Sequence, residues 1–316
     1  MSHAPPALFS PRRQLGRTGF VATQLGIGDL ADRAIPVATL VATARRAMDA
    51  GLNLIDTAPG YEDGYSEQVV GQALRDSGRR DQMFLISKID FHDQPVAPQI
   101  DGSLQRLGLS HTDAFVMHGL STVEGWHKAA ATGGAMHQLA QAIAAGKTRF
   151  RGISSHHPYV LRLAIISGLC DLVLFPVGPF VHERYLNEIL PLAKKQRVGT
   201  VCFKTFGAGK LLGDTSGYNR PLQARPRGKT SSGGVDVLEA ALPRLTVREC
   251  LHYTLTLDPD VALLGMSFPN EQDAAFTAAR EFTQPFSAEQ TADIRARALA
   301  ARQEKGPCWW NPDPNA

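Results

Sequence analysis

Eight times along this chain a short apolar run is followed by a longer stretch with helical periodicity. The runs lie at 24–28, 54–55, 83–87, 113–117, 150–153, 172–175, 199–203 and 262–264. Helical segments follow at 37–50, from Ser66, whose hydroxyl can cap, through Leu74, and at 97–107, 135–145, 158–167, 183–195, 247–257 and 271–280. In the first of these Leu40, Ala44, Ala47 and Met48 fall on one face, and in the third Ile100, Leu104 and Leu107 do. Runs without polar alternation are expected of strands buried on both faces, which is how parallel sheets are built. Eight strand and helix units point to a closed (β/α)8 barrel over an open doubly wound sheet. The segment from 14 to 25, with Gly16 and Gly19, reads as an N-terminal β-hairpin, and 288–304 reads as an extra C-terminal helix before a tail. The expectation is one domain over 1–316, with the barrel at about 23–282 and the helix and tail at 283–316.

Charge and composition narrow the partners. The formal net charge is +3 and no long Lys/Arg cluster appears, so neither nucleic acid nor an anionic membrane is an expected partner. Arg12-Arg13 and the basic group Arg225, Arg227 and Lys229 read as solvated loop surface. The first residues are proline-rich and lack the charged start of a secretion signal, and no stretch has the length of a membrane span, so a cytoplasmic location is expected. Cys170, Cys202, Cys250 and Cys308 are too far apart in sequence for a compact metal or redox motif.

Three successive units end in polar groups of matched chemistry. Leu54-Ile55 runs into Asp56, with Tyr61 in the loop that follows. Phe84 to Ser87 runs into Lys88, and Ala114 to Met117 into His118. Strand ends and the loops after them line one mouth of a (β/α)8 barrel, where these four side chains can meet. Reducing a carbonyl by hydride leaves an alkoxide that needs a proton. Tyr61 is a suitable acid if a neighbouring ammonium, Lys88, favours its phenolate. Asp56 would pair with Lys88 and offset the cost of burying its charge. His118 would donate a hydrogen bond to the substrate oxygen. No side chain supplies hydride, so a cofactor is implied.

These residues carry a resemblance. Asp56-Thr57-Ala58 with Tyr61, Gly64-Tyr65-Ser66-Glu67 opening a helix, Ser87-Lys88, and His118 after the fourth strand together resemble the aldo-keto reductase family, from the Leu15-Gly16 hairpin to the last barrel helix. The resemblance implies a (β/α)8 barrel binding NAD or NADP without a Rossmann glycine fingerprint, and none is found here. It places Asp56, Tyr61, Lys88 and His118 in the catalytic roles just described. It puts Ser154 and Ser155 where a Ser-Asn pair usually holds the nicotinamide amide, and Leu174 where a glutamine usually assists. Phe203 falls on the aromatic that stacks on nicotinamide, Gly207 to Leu211 on the loop beside the pyrophosphate, and Gly265, Ser267 and Gln272 on the adenosine side. Ordinary strand-end packing is the competing reading for Ser154, Ser155 and Phe203. Many members of the family are monomers, and no heptad or exposed apolar stripe argues for more than a weak homo-oligomer.

The leading expectation is an NAD(P)-dependent oxidoreductase acting on an aldehyde, ketone, alcohol or sugar. The alternative is a nucleotide-binding regulatory barrel with little turnover, since Leu174, Ser155 and the adenosine segment depart from the family pattern. Met266 and Asp273 stand where NADPH-using members carry basic residues, which favours NADH or relaxed specificity. Two segments are candidates for substrate contact: the Gly- and Pro-rich stretch 206–234, and the tail with Trp309-Trp310, which either packs on the exterior or folds over the mouth as an apolar wall.

Overall fold

The computed structural model describes residues 9–28, 30–212, 243–266, 269–303, 308 and 310–311. A two-stranded hairpin, β1 (Arg12–Gln14) with β2 (Val21–Thr23), comes first. Eight parallel strands then close on themselves: β3 (Leu25–Gly28), β4 (Leu54–Asp56), β5 (Phe84–Ile89), β6 (Ala114–Met117), β7 (Phe150–Ser154), β8 (Leu172–Pro176), β9 (Gly199–Phe203) and β10 (Val261–Gly265). Each pairs with the next in chain order, and β10 returns to β3 with Gly265 opposite Gly28. Around them run α1 (Val37–Asp49), α2 (Tyr65–Ser77), α3 (Val96–Leu107), α4 (Val123–Ala130), α5 (Ala135–Ala144), α6 (Pro158–Ile166), α7 (Leu190–Gln196), α8 (Val247–Thr256), α9 (Pro269–Arg280) and α10 (Ala288–Arg302). The (β/α)8 barrel with its hairpin and extra helix is therefore as the repeat implies.

Successive side chains of a strand point to opposite sheet faces, so each barrel strand feeds two cores. Leu54, Phe84, Ile86, Ala114, Val116, Leu172, Leu174, Val201, Val261 and Leu263 fill the barrel interior. The alternate set, among them Ile55, Leu85, Phe115, Ile153, Val173 and Cys202, packs outward with the helices. The hairpin plugs the N-terminal end: Leu15 and Ala22 join the inner core, and Phe20 meets Phe84 with ring centres 5.2 Å apart. With that end sealed, the accessible mouth is the C-terminal one. The inward alternation that places Leu54, Phe84 and Ile86 in the core carries Asp56 and Lys88 to that mouth.

The hairpin turns at Gly16–Gly19 as expected, with its strands at 12–14 and 21–23. Two local expectations change. Ser66 does not cap α2. Gly64 does, at φ 81°, while the Ser66 hydroxyl is buried and accepts from Thr57 Oγ1 at 2.8 Å. A side chain at Gly64 would also strike Arg106, its Cβ falling 2.4 Å from Arg106 Cδ. The segment read as one helix over 183–195 is a wide π turn, Tyr185–Ile189, followed by α7. Pro191 is the reason: it lacks the N–H that a continuous α-helix needs there, and the wider turn absorbs the lost bond. Helix α4 was not expected. Its start is fixed by Thr122, whose side chain accepts from Gly125 N at 3.1 Å, and it buries Trp126 and Ala129. The stretch 206–234 is described only to Leu212, as a short turn over Gly207–Leu212. Its remainder, with Arg225, Arg227 and Lys229, lies outside the described residues.

Candidate active site

Asp56, the last residue of β4, and Lys88, near the end of β5, meet inside the barrel. Lys88 Nζ donates to Asp56 Oδ1 at 2.6 Å and to the Thr57 carbonyl at 2.8 Å. Both side chains are almost fully enclosed, at 2% and 1% exposure. Burial works against the Lys88 ammonium, but Asp56 and Tyr61 outweigh it and hold the amine up at about 12. Burial likewise pushes the Asp56 carboxyl upward, and Lys88 and His118 oppose that push. The ion pair is thus each partner's compensation for lost solvent. The second carboxylate oxygen, Asp56 Oδ2, is buried with no hydrogen-bond partner among the described residues.

Tyr61 sits over this pair. Lys88 Nζ is 4.4 Å from its ring centre and also hydrogen-bonds the tyrosine. His118 meets the same ring edge-on, with centres 5.6 Å apart at 80°. The loop that carries Tyr61 ends in three left-handed residues, Glu62, Asp63 and Gly64, at φ 52°, 51° and 81°. Two of them are not glycine, a conformation that costs energy and needs outside support. Arg33 provides it, bonding the Glu62 carbonyl through Nε (3.1 Å) and Nη2 (2.5 Å) and pairing with Asp63 Oδ2 at 3.3 Å. His118 in turn is held by a residue the sequence reading passed over. Asp90 Oδ1 lies 2.5 Å from His118 Nδ1. Burial acts to raise the Asp90 carboxyl, but hydrogen bonds from His118 and the Gly60 amide and the charges of His118 and Lys88 leave it below the ordinary carboxylate range.

The other expected residues divide. Ser154 ends β7 beside Leu174 of β8, is almost buried, and its hydroxyl has no partner among the described residues. The Ser155 hydroxyl is already engaged within the next turn, accepting from His157 N at 3.1 Å and facing Ser121 Oγ at 3.4 Å. Leu174 is buried in the inner core. Phe203 ends β9 half-exposed, with the His156 ring 5.2 Å away. Gly207 and Leu211 lie in a buried turn in which Gly207, Ala208 and Gly209 all have positive φ. Gly265 ends β10, and Ser267 lies outside the described residues. Gln272 is fully buried, its amide donating to the Thr43 carbonyl at 2.8 Å and its oxygen accepting from Arg46 at 3.3 Å. That leaves it a tie between α9 and α1. Arg46, unremarked in the sequence, also pairs with Asp273 and bonds the Pro269 carbonyl at 3.0 Å.

The tail reaches the same rim. Trp310 is buried against Phe180, with ring centres 5.8 Å apart, and Lys204 Nζ lies 5.7 Å from its ring. Its carbonyl is 3.2 Å from His156 Nδ1, and Asn311 Oδ1 accepts from His182 N at 2.7 Å. Trp310 thus shares the Lys204 ammonium with Phe203 and meets His156 through its carbonyl, while Trp309 lies outside the described residues. No described helix is long and apolar enough to cross a membrane.

Comparison with known proteins agrees with this fold. An aldo-keto reductase of Bacillus subtilis (strain 168), YhdN, is 25% identical over 289 residues, 81% of this chain and 85% of its own. The L-galactose dehydrogenase of Arabidopsis thaliana is 31% identical over 215 residues, 63% of this chain and 66% of its own. The holo structure of an aldo-keto reductase from Bacillus halodurans superposes with a TM-score of 0.67 at 24% identity, covering 93% of this chain and 98% of that one, a likeness of fold. The family model described as "Aldo/keto reductase family" matches residues 22–306, nearly the whole barrel and its last helix, and the chain belongs to that family.

Proposed function

We propose that the protein is an NAD(P)-dependent oxidoreductase that moves hydride between a nicotinamide cofactor and a carbonyl or alcohol substrate, with Tyr61 as the acid/base. The observation that carries this reading is the stack of Asp56, Lys88 and Tyr61: an enclosed ammonium, 2.6 Å from its counter-ion, set 4.4 Å from the centre of the tyrosine ring. A cation so placed favours the phenolate, which lets Tyr61 give up and retake a proton. His118 stands at the same ring edge, where it orients the substrate oxygen.

The residues at the mouth fit a nicotinamide nucleotide, which when bound supplies the hydride. The Ser154 hydroxyl, without a partner among the described residues, is assigned to the carboxamide, and the partly buried Phe203 offers its phenyl face to the ring. The turn Gly207–Leu211 is assigned to the pyrophosphate side, where it shapes the wall, since its Gly207, Gly209 and Leu211 amides bond the Lys204 and Phe206 carbonyls. Gly265, Ser267 and the start of α9 are assigned to the adenosine end. Gln272 serves there by shaping the wall, since its amide is used internally. The Arabidopsis relative's name is that of a sugar dehydrogenase, which supports including sugars among the substrates.

The test is direct. Purified protein oxidises NADH or NADPH in the presence of reactive aldehydes, and Tyr61→Phe lowers kcat by on the order of 100-fold or more with cofactor Kd unchanged. Full activity in that variant removes Tyr61 from the role. Leu174, apolar and buried where an amide side chain is usual, supports a second reading: a barrel that binds nucleotide with little turnover. Calorimetric titration separates the two, since tight nucleotide binding without turnover on any carbonyl favours the second.

A further inference from the structure

We propose that Arg33 is a positioning residue for the reaction: by clasping the left-handed turn after Tyr61 to the loop between β3 and α1, it holds the phenol over Lys88. The proposal rests on the oxidoreductase reading above and adds a residue from another barrel unit on which turnover at that site depends.

Asp56 ends β4 and Lys88 lies within β5, so strand pairing sets where both stand. Tyr61 lies further on, in the loop to α2, and the register of β4 does not by itself fix its ring. The residues that follow it, Glu62, Asp63 and Gly64, are all left-handed and turn the chain into α2. The turn is tight: Tyr65 N donates to the Glu62 carbonyl at 3.1 Å and Ser66 N to the Tyr61 carbonyl at 3.4 Å. Gly64 takes this conformation freely. Glu62 and Asp63 carry a Cβ and take it at a cost. Unsupported, the turn relaxes toward ordinary backbone, and because it starts at Tyr61, that relaxation swings the phenol away from Lys88.

The support comes from the loop between β3 and α1. Arg33 donates through both Nε and Nη2 to the carbonyl of Glu62, the first left-handed residue, and the same guanidinium lies 3.3 Å from Asp63 Oδ2 and 3.7 Å from Glu62 Oε2. Two N–H groups of one planar fork on a single oxygen fix direction as well as distance, which a lone ammonium does not. The loop carrying Arg33 is closed on itself: Asp32 accepts from Ala34 N through Oδ1 at 2.9 Å and from Ile35 N through its carbonyl at 3.0 Å. A second tie lies at the far end of the turn. Tyr65 Oη donates to the Ile35 carbonyl at 2.6 Å, and the Arg33 guanidinium carbon is 6.0 Å from the Tyr65 ring centre. Residues 33 and 35 therefore grip the turn at Glu62-Asp63 and again at Tyr65. Since strand pairing places Asp56 and Lys88, the clasp acts on the acid/base in particular.

Kinetics and hydrogen exchange on the intact protein test this. In Arg33→Ala, kcat for reduction of a reactive aldehyde such as propanal is expected to fall about tenfold or more. KM and cofactor Kd change little, the pattern of an interaction needed at the transition state. Amide exchange over residues 61–66 rises, while the urea midpoint stays near wild type, because ion pairs of a side chain 51% exposed contribute little to global stability. Arg33→Lys, with one ammonium in place of the fork, gives an intermediate kcat. The left-handed cost is tested by removing it. With Glu62→Gly and Asp63→Gly already in place, adding Arg33→Ala is expected to cost markedly less in kcat than it does in the wild type. Wild-type kcat in Arg33→Ala overturns the proposal, and so does an equal loss in the two backgrounds or a loss confined to KM. Unchanged exchange over 61–66 in Arg33→Ala also overturns it, whether or not the protein turns over. Raised exchange there, in a protein whose wild type reduces no carbonyl, sinks the oxidoreductase reading and leaves the clasp on the turn standing.

Discussion

Lys88 Nζ lies 2.6 Å from Asp56 Oδ1 in a space that leaves the two side chains 2% and 1% exposed. A buried ion pair is poor evidence for stability, since apolar residues of the same volume often do as well, but removing one partner strands a charge away from water. Asp56→Ala is therefore expected to destabilise the fold by about 3–5 kcal/mol, measured by urea unfolding at neutral pH. The double change Asp56→Leu with Lys88→Met is expected to recover most of that loss while remaining inactive. If Asp56→Ala alone unfolds at the wild-type midpoint, the pair is not enclosed as described.

A second pair links the tail to the barrel and titrates. Since a carbonyl can only accept, His156 Nδ1 carries the hydrogen directed at the Trp310 oxygen, 3.2 Å away. Burial first, and the Lys204 cation second, lower the His156 pKa from 6.5 to about 4. A histidine depressed in the fold binds its proton more readily when unfolded. Its contribution is complete above the unfolded value and is lost as pH falls through the window from 6.5 to about 4. Stability and the buried Trp310 emission are expected to decline together across that window. In His156→Gln the decline should be markedly shallower; an identical slope would assign it to other groups.

The framework was legible because strand and helix periods differ and because buried parallel strands are continuous in apolar residues. The same alternation exposed Asp56 and Lys88 as polar ends of apolar runs. Asp90 was not legible: an acid just past a strand looks like any loop carboxylate, and only the register of β5 on β6, with Ile89 opposite Met117, brings it to His118, 28 residues on. Arg46 was hidden likewise, as one more charge on the polar side of α1, until packing set it against α9. Helix α4 was missed because Gly125 and the polar residues around it weaken helical propensity, and its start depends on a cap at Thr122. Pro191 is visible in the sequence, and it accounts for the π turn before α7.

The tail prediction concerns substrate size. Trp310 is 2% exposed and packs against Phe180, adjacent to the His156 and Phe203 rings. Truncation after Gly306 removes that wall and is expected to raise KM for bulky apolar carbonyls more than for small ones, with kcat on small substrates little changed. Equal KM values before and after truncation, across the whole size series, would make the tail a purely structural element.

The last prediction is the choice of nicotinamide cofactor. A 2′-phosphate normally needs Arg or Lys to offset its desolvation. The segment after β10 supplies no free base among its described residues: Met266 is fully buried and Asp273 is acidic. Two features make the local charge milder than the sequence implies. Asp273 is paired with Arg46, and Glu271 is buried at 1% exposure, so neither stands as an open anion toward a phosphate. Repulsion is thus weak, and the missing attraction is what remains. NADH is expected to bind at least as tightly as NADPH, with Kd values compared side by side at low and high salt. Asp273→Ala releases Arg46 and should tighten NADPH selectively, most at low salt, where an exposed cation is least screened. A tenfold NADPH advantage in the unaltered protein, about 1.4 kcal/mol, would refute the preference and direct attention to Arg225, Arg227 and Lys229 as phosphate ligands.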